Sequence, residues 1–195
     1  MIVDDVTEIT QVVLKERQGR DRGWWQQMRE SFHPGATVSL SWLDTSAEEF
    51  ITQSEATYAG GIRPIHRLSP PVVHTSGRRA VVEVPAAIEL RTTIGGVEAD
   101  LTSCTRLLYQ VEQRDGAWKI VALNVIYEKD TLTPALPGTE LAVDRDLAAR
   151  FREPYRCLGI HLALTGKPVR DDLYGEDEPE RVDKLYEMAF DWMHG

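Results

Sequence analysis

Between Ile65 and Thr131 the chain strings together four strand-like stretches with no helical pattern between them. They read IHRLSPPVVHTS, RAVVEVPAAIELRTTI, EADLTSCTRLLYQVEQRD and AWKIVALNVIYEKDT, and Ser76-Gly77, Gly95-Gly96 and Asp115-Gly116 mark the turns. The last two stretches, joined by Asp-Gly, form the clearest hairpin in the sequence. The helical patterns lie before and after this run. That order argues against alternating βαβ units and predicts an α+β fold, with N-terminal helices packed on a curved antiparallel sheet. Long strands curling over helices leave a concave face, and concave, mostly apolar cavities are where small ligands bind.

Ahead of the strands, Val6, Ile9, Val12 and Val13 recur at helical spacing behind Asp4, Asp5 and Thr7, which predicts a first amphipathic helix. Gly19 weakens its end. Asp21 then caps a second helix through Trp24, Trp25, Met28 and Phe32, which His33-Pro34-Gly35 stops. ATVSLSWL alternates like a strand. A third helix follows, capped by Ser46 with Glu49 closing a capping box and Gly60-Gly61 ending it. After Thr133 the composition changes to a Pro-rich connector, one or two helices interrupted at Pro154, an acidic loop, and a last helix. That last helix carries Val182, Leu185, Tyr186, Ala189 and Trp192 on one stripe. The division expected is residues 1–132 as the α+β domain and 133–195 as a helical extension, too short for a core of its own and packed on the domain or a partner subunit.

A chain of 195 residues is one domain or one domain with an extension. Its net charge of -9 argues against nucleic acid, which needs a basic face, and against an anionic membrane surface. The start, MIVDDVTEIT, has no apolar core of a signal peptide, and no apolar run approaches a membrane span. Cys104 and Cys157 stand far apart and suggest neither a disulfide framework nor a metal site. No metal and no cofactor are expected, and the cytoplasm is the default location.

The order of elements resembles the SnoaL-like branch of the nuclear-transport-factor-2-like superfamily, a cystatin-like α+β cone with a deep pocket. RQGRDRGWWQQMRESFHPGATV resembles the branch's Asp-x-x-Asp-Trp…Phe/Tyr-His-Pro-Asp-Ala signature. IHRLSPPVVHTSGRRAVVEV resembles its His-bearing strand and long strand, and TRLLYQVEQRDGAWKIVALNVIYE its final hairpin. The likeness spans about Asp5 to Leu132. Carried over residue by residue, the family's catalytic Asp–His pair falls on Asp21 and His66. The sequence departs elsewhere. The family's tyrosine near the end of helix one is Glu16, its second acid is Trp24, its asparagine after the histidine is Pro70, and its polar last-strand positions are Leu123 and Asn124. The resemblance also implies a homodimer, and the apolar stripe of the last helix gives a separate reason to expect one.

An Asp beside a His orients the ring and raises its basicity, so the pair can take a proton from carbon or return one to a leaving hydroxyl. Taken alone, Asp21 reads as a helix cap and His66 as a packed strand histidine. Arg106 and Cys104 sit two apart and share one strand face. If that face is concave, Arg106 can hold a substrate carboxylate, enolate or phenolate; otherwise it makes an exterior salt bridge. Trp24, Trp42, Tyr58 and Tyr127 are candidates to line a pocket for a flat ligand. His74, at even spacing from His66, either shares its face or sits exposed at the turn. The expectation is a cofactor-independent lyase or isomerase, of dehydratase or polyketide-cyclase type, acting on a hydrophobic cyclic small molecule. The alternative is a non-catalytic small-molecule-binding or dimerisation domain of the same fold.

Overall fold

Asp4 Oδ1 accepts the Thr7 amide hydrogen at 2.8 Å and opens α1 (Asp5–Arg22), with Asp5 and Glu8 in its first turn and Arg20 and Arg22 in its last. The structure is a computed structural model and describes residues 4–195. The reading of the first ten residues as free of a leader rests partly on Met1 to Val3, which lie outside the described residues.

Helix α1 runs through Gly19 and ends only at Gly23, whose φ of 69° is left-handed. Asp21 therefore sits in the last turn of α1 and caps nothing. The reason is packing: a Cβ on Gly19 would come within 3.1 Å of Met28 Cβ and N and of Trp24 O, so the missing side chain lets the next helix lie against α1. That helix, α2 (Trp25–Glu30), is shorter than expected and has no side-chain cap. Phe32, His33, Pro34 and Gly35 already belong to strand β1 (Phe32–Leu40), which turns into β2 (Leu43–Ser46). Ser46 Oγ accepts from Glu49 N at 3.2 Å and starts α3 (Ala47–Ala59).

The first of the four strand-like stretches is two strands, β3 (Ile65–Leu68) and β4 (Val72–Ser76), interrupted at Pro70-Pro71. Both pair antiparallel with β5 (Arg79–Ile94), β3 along its middle (Ala86–Glu89) and β4 along its start. Strands β5, β6 (Val97–Arg114) and β7 (Ala117–Pro134) form two long hairpins. The sheet order is β2-β1-β7-β6-β5-β3, with β4 also on β5 and a two-residue β8 (Tyr174–Gly175) on β7. The expected sheet was antiparallel throughout; the observed one is mixed, because β1 runs parallel to β7 (Val38 opposite Leu123) and β8 is parallel to it as well. The hairpin strands are forced antiparallel by their turns, whereas β1 reaches β7 through a long connection that imposes no direction. The protein is thus α+β, with helices on a curved open sheet.

The main core fills the space between α1, α3 and the concave face, with Ile9, Val13, Met28, Phe50, Val82, Leu107, Ile120 and Leu123 buried there. The tail closes the fold on two sides. A short α4 (Arg145–Ala148), a 3-10 turn (Glu153–Tyr155) and α5 (Arg156–Leu164) cover the end of β7 and β6, and Leu158 and Leu162 join the core. The last helix, α6 (Pro179–His194), packs Val182, Leu185, Ala189 and Met193 on Val81, Leu108 and Ile126 of the outer sheet face. Its apolar stripe is therefore satisfied within the chain and gives no reason for a partner subunit. No helix of the described residues is long and apolar enough to cross a membrane.

Candidate active site

Two elements that are distant in sequence bring the site together. Asp21 comes from the last turn of α1 and His66 from the short edge strand β3. The backbone N–H of His66 donates to Asp21 Oδ2 at 2.8 Å, and Nδ1 lies 2.6 Å from Oδ1. One carboxylate thus fixes both the strand and its imidazole. On β3 the residues alternate, Ile65 and Arg67 outward, His66 and Leu68 inward, and the His66 side chain is only 6% exposed.

On its other side the ring meets Arg17, whose Nη1 is 3.3 Å from Nε2. Arg17 is paired with Glu16, which is fully buried and also accepts from Tyr109 Oη at 3.1 Å. The result is one continuous chain, Tyr109–Glu16–Arg17–His66–Asp21. Because a guanidinium can only donate, Nε2 carries the lone pair and Nδ1 carries the hydrogen that goes to Asp21. Burial pushes the His66 pKa down; the Asp21 bond works upward, the Arg17 and Arg20 charges work downward, and the net position is below the ordinary value. Burial alone would raise the Asp21 carboxyl, but the hydrogen bonds from the His66 ring and amide, with the nearby Arg17 charge, outweigh it, so the acid ends below its ordinary value. The pair is a neutral imidazole beside a carboxylate. Burial and the neighbouring Glu16 hold the Tyr109 hydroxyl well above the usual phenol range, so it stays a donor.

His66 and Arg17 form part of the wall between two spaces. Inward is a cavity of about 90 Å³, lined mainly by apolar side chains such as Leu40, Phe50, Leu107 and Val125. That volume holds several waters or one small ring. Outward is an open groove where Asp21 and Tyr58 lie with Arg63.

Of the residues singled out in the sequence, His66, Trp42 and Tyr127 line the inner cavity, while Asp21 and Tyr58 line the outer groove. Tyr127 Oη accepts from Ser41 N at 2.9 Å, and burial pushes its hydroxyl up to about 12. Tyr58 packs edge-on to Trp25 at 5.6 Å. Trp24 is 51% exposed and lines neither space, because α1 continues to Arg22 and leaves it on the outside of the turn. Arg106 and Cys104 share a strand face as expected from their spacing, but it is the face opposite the cavity. Leu107 and Tyr109 point inward, so even-numbered neighbours point out. There Arg106 pairs with Glu83 at 2.6 Å and Glu128 at 2.8 Å, an exterior ion-pair cluster beside α6. His74 does not share the face of His66, since the Pro70-Pro71 break intervenes; its ring meets Phe190 of α6 edge-on at 5.2 Å.

Sequence reasoning passed over four cavity residues: Arg17, Arg20, His161 and Lys167. A signal for the first two was present. Ile9, Val13, Glu16, Arg17 and Arg20 follow one helical stripe, so charged residues continue an apolar face that points into the core. His161 and Lys167 come from the tail, and no local pattern ties them to the cone. His161 Nδ1 lies 2.9 Å from Thr92 Oγ1, and burial lowers its pKa.

Helices over a curled sheet, closing on an apolar cavity with a polar chain in its wall, define a small α+β cone of the ligand-pocket type. The SnoaL-like domain family matches residues 1–124, and the chain belongs to that family. It is 30% identical over 187 residues to pea pathogenicity protein 2 of Fusarium vanettenii, covering 90% of this chain and 80% of that protein. It is likewise 30% identical over 191 residues to the uncharacterised protein AN9274 of Emericella nidulans, with the same coverage of 90% and 80%. Solved structures share the fold at lower identity. A hexachlorocyclohexane dehydrochlorinase, LinA-type3 of Novosphingobium barchaimii, matches with a TM-score of 0.56 at 15% identity, over 70% of this chain and 93% of its own. A candidate scytalone dehydratase from Novosphingobium aromaticivorans matches with a TM-score of 0.52 at 16% identity, over 72% and 94%.

Proposed function

We propose that the protein is a cofactor-independent lyase or isomerase that moves a proton on a hydrophobic, ring-bearing small molecule through Asp21 and His66. The observation that carries this reading is the 2.6 Å contact between His66 Nδ1 and Asp21 Oδ1 in the wall of an apolar cavity. With Nδ1–H held by the carboxylate, the Nε2 lone pair is the base. It takes a hydrogen from carbon next to an electron-withdrawing group, and the C–H electron pair becomes the new double bond. The imidazolium then returns that proton, either to a leaving hydroxyl, which departs as water, or to another carbon, which completes an isomerisation. Asp21 stabilises the imidazolium throughout, and the dry surroundings strengthen that interaction. The names of the dehydrochlorinase and the candidate dehydratase with this fold agree with an elimination.

One observation favours the alternative, a binding domain without chemistry: Arg17 already occupies Nε2 at 3.3 Å. In the catalytic reading this contact, the longest in the polar chain, yields to the substrate, and Arg17 stays held by Glu16 to steady negative charge on oxygen. A homodimer belongs to the same proposal, formed through surface outside the area that α6 covers, and light scattering on the purified chain measures it.

A panel of cyclic β-hydroxy ketones and enones, incubated with the chain, tests the reading. Turnover is expected for the wild type, with His66→Gln slower by about 10²-fold or more. No turnover of any member, or equal rates for wild type and His66→Gln, leaves only the binding domain.

A further inference from the structure

Among the described residues the cavity wall carries Arg17, Arg20 and Lys167 and not one carboxylate, although the chain as a whole has a net charge of -9. Of the acids nearest to it, Glu16 is engaged by Arg17 and Tyr109, and Asp21 by the His66 ring and amide. That leaves three cations against two carboxylates and an excess of one positive charge in a largely apolar enclosure. Arg20 is 5% exposed, and its Nη1 is buried with no hydrogen-bond partner among the described residues. Lys167 spends one hydrogen on Thr57 Oγ1 at 2.8 Å and rests 4.2 Å from the Trp42 ring centroid, with no carboxylate in reach among the described residues.

A buried, unpaired guanidinium is costly to keep unless something else in the working protein answers it. Here the answer cannot come from the described residues. Water hydrating the cavity would leave the charge excess unmatched, whereas an anion would neutralise it. The rest of the wall is mostly apolar, so the body of that anion is hydrophobic, and the cavity volume of about 90 Å³ suits one small ring.

We infer that the ligand of this cavity is an organic anion, a monoanionic oxygen group on a small hydrophobic ring, with its charge held by Arg20 and Lys167. The inference rests on the cavity being the ligand site, as in the proposed function, but not on proton transfer by His66. Two further facts agree with it. Burial and the Arg17 charge lower Arg20 to about 10, and burial and the Arg20 charge lower Lys167, so the two cations strain against their surroundings and each other. Arg20 comes from α1, one residue before Asp21, whereas Lys167 arrives from the tail, so the tail completes the charge pattern of the cone.

The test compares matched acids and amides on the full chain by calorimetry: benzoate against benzamide, and cyclohexanecarboxylate against cyclohexanecarboxamide. At least one acid is expected to bind about tenfold or more tightly than its amide. Arg20→Met and Lys167→Met should each remove most of that preference while leaving the amide unchanged. A melting curve checks that the variants are folded, and Arg20→Met is expected to melt no lower than wild type, since it removes an unpaired buried charge. Equal binding of acid and amide, failure of both acids to bind at millimolar concentration, or a preference that survives in both folded variants overturns the inference. An acid preference without any proton transfer leaves it standing and removes the acid–base reading; proton transfer with equal affinities does the reverse.

Discussion

Arg17 Nη1 faces Nε2 of His66 at 3.3 Å, on the side of the ring away from Asp21. This contact assigns the tautomer, because a guanidinium has no lone pair to offer and must donate. It also places a fixed positive charge against the base, which opposes protonation of the ring.

The titration of His66 should reflect both neighbours. Its folded pKa lies below the ordinary value near 6.5, with burial the largest cause. The unfolded chain therefore takes up the proton first as pH falls, so this histidine costs no stability above about pH 6.5 and progressively destabilises the fold below it. By NMR, the His66 midpoint is expected below that of an exposed histidine. Asp21→Asn should lower it further, and Arg17→Met should raise it. A midpoint above the exposed value in the wild type contradicts the assignment.

Glu16 is the anchor of the polar chain, fully buried between Arg17 and Tyr109. Glu16→Ala strands the Arg17 guanidinium without its counterion and should cost about 3–5 kcal/mol in chemical denaturation. Glu16→Gln keeps the shape and an acceptor and should cost less. A loss below about 1 kcal/mol for the alanine variant would mean that Arg17 finds another partner.

Gly19→Ala is expected to reverse the usual sign of a helix substitution. Elsewhere alanine in a helix interior is better than glycine by about 0.5–1 kcal/mol. Here the added Cβ meets the Met28 and Trp24 backbone at 3.1 Å, and backbone cannot rotate away. The expected result is a loss of about 1–3 kcal/mol, read from the shift of the unfolding midpoint.

This position also explains what the sequence made legible and what it did not. The run of strands between Ile65 and Thr131 and its turns were readable, since tight turns and alternation are local properties. Gly19 read as a helix end, because its tolerance depends on α2 lying against it, which no local pattern reports. With the end of α1 misplaced, Asp21 read as a cap. It came next to His66 only through the family resemblance, which preserves order across 45 residues. The parallel pairing of β1 with β7 was hidden for the same reason, as it joins segments with no shared turn. Arg106 was ambiguous because alternation says which residues share a face, not which face is concave.

Arg106 supplies a negative control. Its partners Glu83 and Glu128 are on the outer face, and its side chain is 36% exposed. Arg106→Ala should leave ligand affinity unchanged and cost at most about 1 kcal/mol of stability. A tenfold drop in affinity would move the ligand site to the wrong side of the sheet.

The central claim is that Asp21 and His66 together move a proton to and from carbon. Solvent deuterium uptake measures this directly, on whichever compound co-purifies with the chain or turns over in the panel. The wild type in D₂O should install deuterium at the carbon that loses its hydrogen, with His66→Gln and Asp21→Asn each slower by about 10²-fold or more. Uptake at the wild-type rate in folded His66→Gln, or no uptake above the uncatalysed rate in the wild type, would contradict it.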